Sequence, residues 1–181
     1  MFTEEAIHQE IKQIYEEYYK EVYQFLLYFT GDRNNAEDLT QEVFLRVMDA
    51  LPRFEQRSSL KTYILRIAKR VVYDDYRKKK VKTIFAGKWL MFFHSEEGLP
   101  EEELQAKEDK KNVEKALQQI KPKYRTIIFL RGVKGYSIKE TAEVIGCSEA
   151  KVKVDYHRAK KELRMKWEAV AGKESYINAF K

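Results

Sequence analysis

The chain has 181 residues, of which 35% are charged and 44% hydrophobic, and its formal net charge is +6. This length fits one large or two small domains, and the helical period of its long stretches indicates an all-α protein. No apolar run reaches the length that a membrane helix needs, and the first residues do not have the basic and then apolar pattern of a secretory signal peptide. A single cysteine excludes an internal disulfide. We therefore expect a cytoplasmic protein.

Charge alternates in blocks along the chain. Residues 1–56 and 93–114 are acidic overall, whereas 57–92 and 115–181 are basic. Two separated basic blocks indicate two nucleic-acid contacts rather than one diffuse basic coat. The acidic opening block is a poor DNA surface and is available for a protein partner.

Three long helices are predicted in the first part of the chain. Their predicted spans are about 4–30, 35–51 and 60–80. Gly31 ends the first, Pro52 ends the second, and Ser58 or Ser59 caps the third. Helices of this length can share one core, so residues 1–80 are predicted to form a helical domain.

Aromatic and basic side chains alternate along one side of the third helix, at spacings of three and four. They form an aromatic–basic stripe that consists of Tyr63, Arg66, Arg70, Tyr73 and Arg77. Rings can stack on unpaired bases while guanidinium groups hold the charged backbone, which is what melting DNA requires. The alternative is a solvated basic helix with tyrosines at the domain rim.

The helical pattern breaks between residues 81 and 106, which are predicted to form a linker containing the apolar segment 89–93. An exposed segment of this kind is costly, so it is expected to dock on a domain or a partner. A second helical domain is predicted over 107–170, followed by a C-terminal tail over 171–181.

The segment 135–164 has the pattern of a helix-turn-helix. Ser137 and Glu140 have the S-x-x-E spacing that caps a helix, Gly146 can supply the left-handed residue that ends it, and Ser148 can cap the next helix. Two helices joined by a short turn containing glycine place the second helix in the DNA major groove. The segment is predicted to bind DNA.

The second helix of this motif has a buried and an exposed side. Val152, Tyr156, Ala159 and Leu163 are predicted to be buried. The predicted DNA contacts near its start and on its opposite side are Ser148, Ala150, Lys151, Lys153, Val154, His157, Arg158 and Lys161. Val154 is an apolar residue on this predicted exposed side, where it is expected to need a partner such as a thymine methyl group.

Three segments resemble the bacterial sigma factors of RNA polymerase, in their extracytoplasmic-function subgroup. Residues 36–47 (AEDLTQEVFLRV) resemble the polymerase-binding segment, and 60–77 resemble the promoter-melting helix. Residues 148–163 resemble the helix that recognises the upstream promoter element. The three occur in the family's order and spacing, and the resemblance implies a region 2-like and a region 4-like domain joined by a flexible linker.

The resemblance implies a role for each surface of the first domain. Asp38, Gln41, Glu42 and Phe44 are implied to dock on the β′ clamp helices of core RNA polymerase. The loop 52–59 is implied to capture a flipped base of the −10 element through Arg57 and Ser58, while the stripe on the third helix takes part in melting.

The resemblance also implies functions for the rest of the chain. The helix-turn-helix is implied to read the −35 element, with the β flap as a second polymerase contact. The linker is implied to approach the active-site cleft. The negative charge of its part 96–103, and not the resemblance, suggests the hypothesis that this part mimics nucleic acid there. An anti-sigma factor, often membrane-anchored, is an expected partner, and the expected targets are stress or cell-envelope genes. Neither a cofactor nor a catalytic or metal-binding residue is implied.

The chain departs from the family pattern at several positions. The family commonly has Trp at the position of Tyr63, Asn at Arg70, and Ser-Arg where this chain has Val154 and Asp155. The last difference replaces a cation by an anion, which is expected to weaken one phosphate contact.

Two other classes of protein compete with this interpretation. A two-domain regulator that binds duplex DNA without polymerase could have a similar recognition helix, but it would not need the stripe or the 38–44 segment. An enzyme is disfavoured because we find no glycine-rich phosphate loop, metal-ligand spacing or nucleophile–histidine arrangement.

Overall fold

The computed structural model describes residues 4–86 and 112–171, and within these ranges the chain is helical and contains no strand. The helices are α1 (Glu4–Thr30), α2 (Arg33–Ala50), α3 (Leu60–Ala86), α4 (112–119), α5 (Pro122–Ile127), α6 (Ile138–Ile145) and α7 (Glu149–Ala171). A 3₁₀ turn, Leu51–Arg53, follows α2, and a π-helical turn, Ile128–Val133, follows α5. The all-α prediction is confirmed. The apolar segment 89–93 and the acidic segment 96–103 lie outside the described residues.

The helices of the first part begin and end close to their predicted positions. α2 begins earlier than predicted because the Asp32 side chain accepts a hydrogen bond from the backbone N–H of Asn35, at 2.7 Å. Ser59 caps α3 by accepting one from the N–H of Thr62, at 3.1 Å. α3 continues beyond the predicted residue 80 to Ala86, since no glycine or proline interrupts it before Gly87.

The capping signals of the predicted helix-turn-helix are all present. Ser137 and Glu140 form a reciprocal capping box at the start of α6. Gly146 ends that helix with φ +78°, and Ser148 caps α7 by accepting a hydrogen bond from the N–H of Lys151 at 3.3 Å. The predicted geometry of this motif is confirmed.

The two sequence-defined domains share a buried core. The helices α1, α2 and α3 pack around residues such as Phe25, Leu26 and Val43, and the same cluster includes Phe129 and Val144 from the second domain. A separate cluster around Trp167 joins α4 to α7. The two domains therefore pack against each other in this conformation.

A buried arginine connects the two domains. Arg125, on α5, is 1% exposed and donates hydrogen bonds to the carbonyl oxygen of Phe29 at 2.6 Å and to Oε1 of Gln118 at 2.8 Å. Its guanidinium lies 4.7 Å from the centroid of the Phe29 ring. Burial lowers the pKa of Arg125, and these contacts offset part of its lost hydration, since its buried Nε has no hydrogen-bond partner among the described residues. The contact fixes the end of α1 against α5.

None of the described helices combines the length and the apolar content that crossing a membrane requires.

Candidate nucleic-acid interface

The predicted DNA-reading side of α7 is exposed to solvent. Every one of the eight residues predicted there is accessible to solvent, namely Ser148, Ala150, Lys151, Lys153, Val154, His157, Arg158 and Lys161. Val154 is 49% exposed, although it is apolar. In the described part of the chain Lys153 and Lys161 form no ion pair, so their charge is available to a ligand.

Asp155 does not lie on this exposed side, which corrects the expectation that its negative charge weakens a phosphate contact. Its side chain is buried, and its Oδ2 accepts a hydrogen bond from Nζ of Lys123 and lies 3.7 Å from Nζ of Lys151. The physical reason is helical geometry, because residue 155 is three positions after the buried Val152 and four before the buried Ala159.

A cationic cleft adjoins the reading side of α7. Its volume is about 250 Å³, and its lining includes Arg131, Lys153, His157 and Lys160. Nζ of Lys160 lies 4.9 Å from the centroid of the Tyr156 ring, and the Arg131 guanidinium carbon lies 5.6 Å from it. Sequence reasoning missed Arg131 and Lys160, although the seven-residue spacing from Lys153 places Lys160 on the same side of α7.

The aromatic–basic stripe of α3 is not a continuous exposed surface, contrary to the sequence prediction. Arg70 and Arg77 are exposed, and Tyr63 is half-buried with its ring 4.8 Å from that of Phe54. Arg66 is half-buried because it hydrogen-bonds to α6.

Tyr73, the remaining member of the stripe, lies between the two domains. Its ring centroid is 5.5 Å from that of Phe29, and its hydroxyl is 3.0 Å from Oγ1 of Thr126. Burial raises the pKa of Tyr73. Packing of α3 against the second domain divides the stripe into an accessible and a covered part.

The loop between α2 and α3 borders a cleft of about 480 Å³, lined in part by Phe54, Gln56 and Ser58. Gln56 has φ +53°, a left-handed conformation that is uncommon outside glycine and that turns the loop sharply. Arg57 points into solvent, where it pairs with Glu55 at 2.5 Å. The sequence prediction singled out Arg57 and Ser58 but not Gln56. Glutamine as a residue type does not indicate a left-handed backbone conformation, so this position could not be recognised from the sequence.

The predicted polymerase-binding residues of α2 differ in exposure. Asp38 and Gln41 are exposed, and Glu42 is half-exposed and pairs with Arg46 at 2.5 Å. Phe44 is only 7% exposed.

The burial of Phe44 corrects the expectation that its ring offers a contact surface. The ring packs into the core, with its centroid 4.8 Å from that of Tyr15. Sequence reasoning missed two exposed apolar residues of α2, Leu45 at 62% and Met48 at 42% exposure. They follow Asp38 and Gln41 at helical spacing, so α2 presents acidic, polar and apolar groups together.

Comparison with known families supports the division of the chain into two units. Residues 14–81 match the family "Sigma-70 region 2", and residues 110–163 match "Sigma-70, region 4". The first match contains α2 and most of α3. The second contains the helix-turn-helix and most of α7.

Two relatives from Bacillus subtilis cover most of the chain. The ECF RNA polymerase sigma factor SigX is 39% identical over 155 residues, which are 83% of this chain and 80% of SigX. The RNA polymerase sigma factor YlaC is 29% identical over 161 residues, which are 85% of this chain and 90% of YlaC.

Two solved structures have the same fold. The sigma factor RpoE of Bartonella quintana, in complex with the anti-sigma factor NepR, matches with a TM-score of 0.69 at 21% identity and covers 88% of this chain and 98% of RpoE. CnrH, in complex with the cytosolic domain of CnrY, matches with a TM-score of 0.66 at 20% identity, covering 90% of each chain. With both sigma-70 regions present in order, and with SigX related over most of its length, the chain belongs to the ECF family of RNA polymerase sigma factors.

Proposed function

We propose that this sigma factor binds core RNA polymerase through α2, reads a −35 element through α7, and reads and melts a −10 element through α3 and the preceding loop. The observation that supports this proposal best is the exposure of all eight predicted contact residues, seven polar, basic or small and one apolar, along the reading side of α7. A sequence-specific helix needs such a surface because base edges are reached only by side chains free to enter the groove.

The −35 contacts are proposed to divide by position along α7. Residues near its start, Ala150 and Val154, reach base edges, and Lys153, Arg158 and Lys161 hold the phosphate backbone. Lys160 and Arg131 extend the cationic surface beside them. Because phosphate contacts release counterions, binding to the duplex should weaken steeply as the salt concentration rises.

Melting of the −10 element is proposed to use the loop and the exposed part of α3. The cleft beside Gln56 and Ser58 offers a shaped space for a base, and the pair Phe54–Tyr63 provides an aromatic platform next to it. Arg70 and Arg77 are exposed and can follow the strand backbone. Stacking on the aromatic pair and contacts of the arginines with the strand offset the few kcal/mol that extruding a base from the duplex costs.

The surface for core polymerase is proposed to be the exposed side of α2. It combines Asp38, Gln41 and Glu42 with the apolar residues Leu45 and Met48. Acidic groups steer association with the basic side of a partner such as the β′ clamp helices, and exposed apolar groups supply buried area once the surfaces meet. The β flap is proposed as the second polymerase contact, through the region 4 domain.

An anti-sigma factor is proposed as the regulator of this protein. The solved structures of RpoE and CnrH each contain a protein partner, the anti-sigma factor NepR and the cytosolic domain of CnrY. We propose that the chain acts in the cytoplasm, where an anti-sigma factor anchored in the membrane can hold it, and that its targets are stress or cell-envelope genes.

Reconstitution with core RNA polymerase tests the proposed function. The purified full chain should convert core enzyme into one that initiates on specific promoters, found by mapping transcript starts after overexpression. Charge reversal by Asp38→Lys and Glu42→Lys should weaken polymerase binding without changing DNA binding by α7. The matched control is Glu16→Lys, an exposed glutamate on α1. If core enzyme neither binds the protein nor gains promoter-dependent initiation, the proposal fails, and binding of duplex DNA alone would favour the two-domain regulator.

A further inference from the structure

A cavity of about 520 Å³ lies between the two domains, beside the end of α1 and the second half of α3. Its apolar wall consists of Phe29, Val72 and Tyr76, and the second domain contributes Gln118 and Arg125. The centroids of the Phe29 and Tyr76 rings are 6.3 Å apart, and the rings are nearly perpendicular, at 89°. Sites for small organic ligands have volumes of this order and walls of this kind. None of these five residues belongs to a proposed DNA or polymerase contact.

The charge of Arg125 has no counter-ion within the described ranges, 4–86 and 112–171. The side chain is buried, and no carboxylate of these ranges forms an ion pair with it. Its hydrogen-bond acceptors there are all neutral, namely the carbonyl oxygens of Phe29, Gln118 and Ile120 and the amide oxygen of Gln118. Its Nε has no partner among these residues. Because a buried charge is costly unless it is paired, this position favours an anion.

Aromatic rings offset part of the cost of burying Arg125. Its guanidinium carbon lies 4.7 Å from the centroid of the Phe29 ring and 6.0 Å from that of the Tyr76 ring. A ring quadrupole attracts a cation, but it does not neutralise its charge as a carboxylate does. Burial lowers the pKa of Arg125, yet a guanidinium stays protonated in proteins, so a full positive charge remains at the wall of the cavity. An anionic ligand in the cavity would balance that charge.

Gln118 occupies the position that the anion would take. Its Oε1 accepts a hydrogen bond from Nη1 of Arg125 at 2.8 Å, and its Nε2 donates to the carbonyl oxygen of Phe29 at 3.2 Å. Gln118 is exposed, and exposed side chains change rotamer within nanoseconds. A carboxylate that replaces the amide oxygen converts a neutral hydrogen bond into a charge-assisted one, which is roughly twice as strong. Rotation of one surface side chain therefore gives an anion access to Nη1.

The other charged groups of the cavity restrict the charge of the ligand. Lys79 and Lys80 line it together with Arg125, and so do the carboxylates of Asp32 and Asp75. Oδ2 of Asp75 lies 3.0 Å from Nζ of Lys79. With three cations and two carboxylates around the cavity, one negative charge is balanced, whereas a polyanion such as a nucleoside triphosphate is repelled by the carboxylates. The apolar wall in turn requires an apolar body.

We propose that this cavity binds a small organic acid, with an aromatic or aliphatic body and one carboxylate that pairs with Arg125 in place of the Gln118 amide. The body packs against Phe29, Val72 and Tyr76, which removes apolar surface from water. The walls belong to both domains, so the complete site exists only while the domains are packed together. Binding therefore stabilises that packing by mass action, and the concentration of the acid controls how readily the domains separate.

The aromatic acid 2-naphthoate tests the site in the full chain, because it combines a planar apolar body with one carboxylate. Isothermal titration calorimetry should show one site, and increasing concentrations should raise the unfolding temperature. The amide 2-naphthamide has the same shape without the charge, so it should bind at least about tenfold more weakly. Absence of 2-naphthoate binding, or equal affinities for the acid and the amide, would overturn the proposal.

Gln118→Glu tests the pairing with Arg125 without disturbing the fold. The new carboxylate supplies the counter-ion from within the chain, so the unfolding temperature should rise while the affinity for 2-naphthoate falls at least about tenfold. A loss of binding by a more stable protein cannot result from misfolding. The matched control is Gln119→Glu, which adds the same charge at the neighbouring exposed position, outside the cavity lining, and should retain wild-type affinity. Wild-type affinity of Gln118→Glu, or equal losses in both variants, would overturn the proposal.

A second pair of variants locates the acid by a gain of affinity. Asp75→Asn removes a carboxylate from the cavity lining and should bind 2-naphthoate about two- to fivefold more tightly, since a like charge no longer opposes it. Asp74→Asn makes the same change at the adjacent residue of α3, which does not line the cavity and pairs with Arg46 and Arg77 instead. It should retain wild-type affinity. An affinity that rises equally in both variants, or in neither, would place the acid outside this cavity and overturn the proposal.

Discussion

Asp155 and Lys123 form an ion pair on the inner side of the recognition helix, between α7 and the start of α5. The carboxylate of Asp155 is 5% exposed and the Lys123 side chain 34%. Lys151, one turn earlier on α7, adds a second cation at 3.7 Å. An acidic residue in the helix proposed to read DNA thus stabilises the position of that helix, and its charge is directed away from the proposed DNA surface.

Replacement of Asp155 by Asn should lower the stability of the helix-turn-helix without changing its DNA preference. The amide keeps one hydrogen bond but loses the charge, so we expect a cost of about 1–2 kcal/mol, less than for a fully buried pair because Lys123 can be hydrated. Denaturant unfolding measures the cost. The wild type and the Asp155→Asn variant should bind duplex DNA with equal affinity under conditions in which both are folded. A change in base preference would contradict the inward orientation of Asp155.

The same pair predicts a dependence of stability on acid. Burial raises the pKa of Asp155, but the hydrogen bond from Lys123 and the nearby charges of Lys123, Lys151 and Arg158 outweigh it, so the net shift is downward. A carboxyl with a depressed folded pKa stabilises the fold above its unfolded pKa of about 3.9, and this contribution is lost as the pH falls through the folded value. The stability difference between wild type and Asp155→Asn should therefore be constant near neutrality and decrease in acid. A difference that grows as the pH falls would exclude the pair as its origin.

The sequence predicted helices and caps well because these depend on local chemistry. Ser137, Gly146 and Ser148 act on backbone groups within four residues, so their roles are visible in a single segment. The contact of Arg66 with Glu143, 77 residues away, depends on how the domains pack and leaves no local signal. The orientation of Asp155 was in principle accessible, since its spacing from Val152 and Ala159 places it on the buried side, but its charge suggested an exposed position.

Phe44 and Leu45 are adjacent on α2 and should respond oppositely to truncation. Phe44 is buried, so Phe44→Ala should destabilise the protein by about 3–5 kcal/mol through cavity formation. Leu45 is 62% exposed, so Leu45→Ala should change stability by less than about 0.5 kcal/mol while weakening core polymerase binding. Thermal unfolding and a polymerase-binding titration separate the two effects. Wild-type polymerase affinity of Leu45→Ala would remove this residue from the proposed interface.

Val154 should affect base preference more than stability. It is about half exposed on the reading side of α7, where an apolar group gains free energy by contact with a thymine methyl group. Val154→Ser should leave the unfolding temperature nearly unchanged and relax discrimination at one base pair by about 1 kcal/mol, the scale of one or two buried apolar groups. Selection of preferred −35 duplexes from a randomised pool checks this. Lys161→Ala provides the contrast, because loss of a phosphate contact should weaken all sequences alike and lower the salt dependence.

Tyr63 should contribute to melting through its ring rather than its hydroxyl. The ring lies 4.8 Å from that of Phe54, beside the cleft of the preceding loop, so an unpaired base that enters the cleft meets an aromatic surface. Tyr63→Phe preserves that surface and should melt promoter DNA normally. Tyr63→Ala removes stacking worth about 1–3 kcal/mol per base, so open complexes should form less readily while initial promoter binding is retained.

Permanganate reactivity of unpaired thymines measures the open complex, and a gel-shift assay with duplex promoter measures the binding. If the Ala and Phe variants open the promoter equally, the ring only completes the rim of the first domain, and the melting surface reduces to the exposed arginines and the loop.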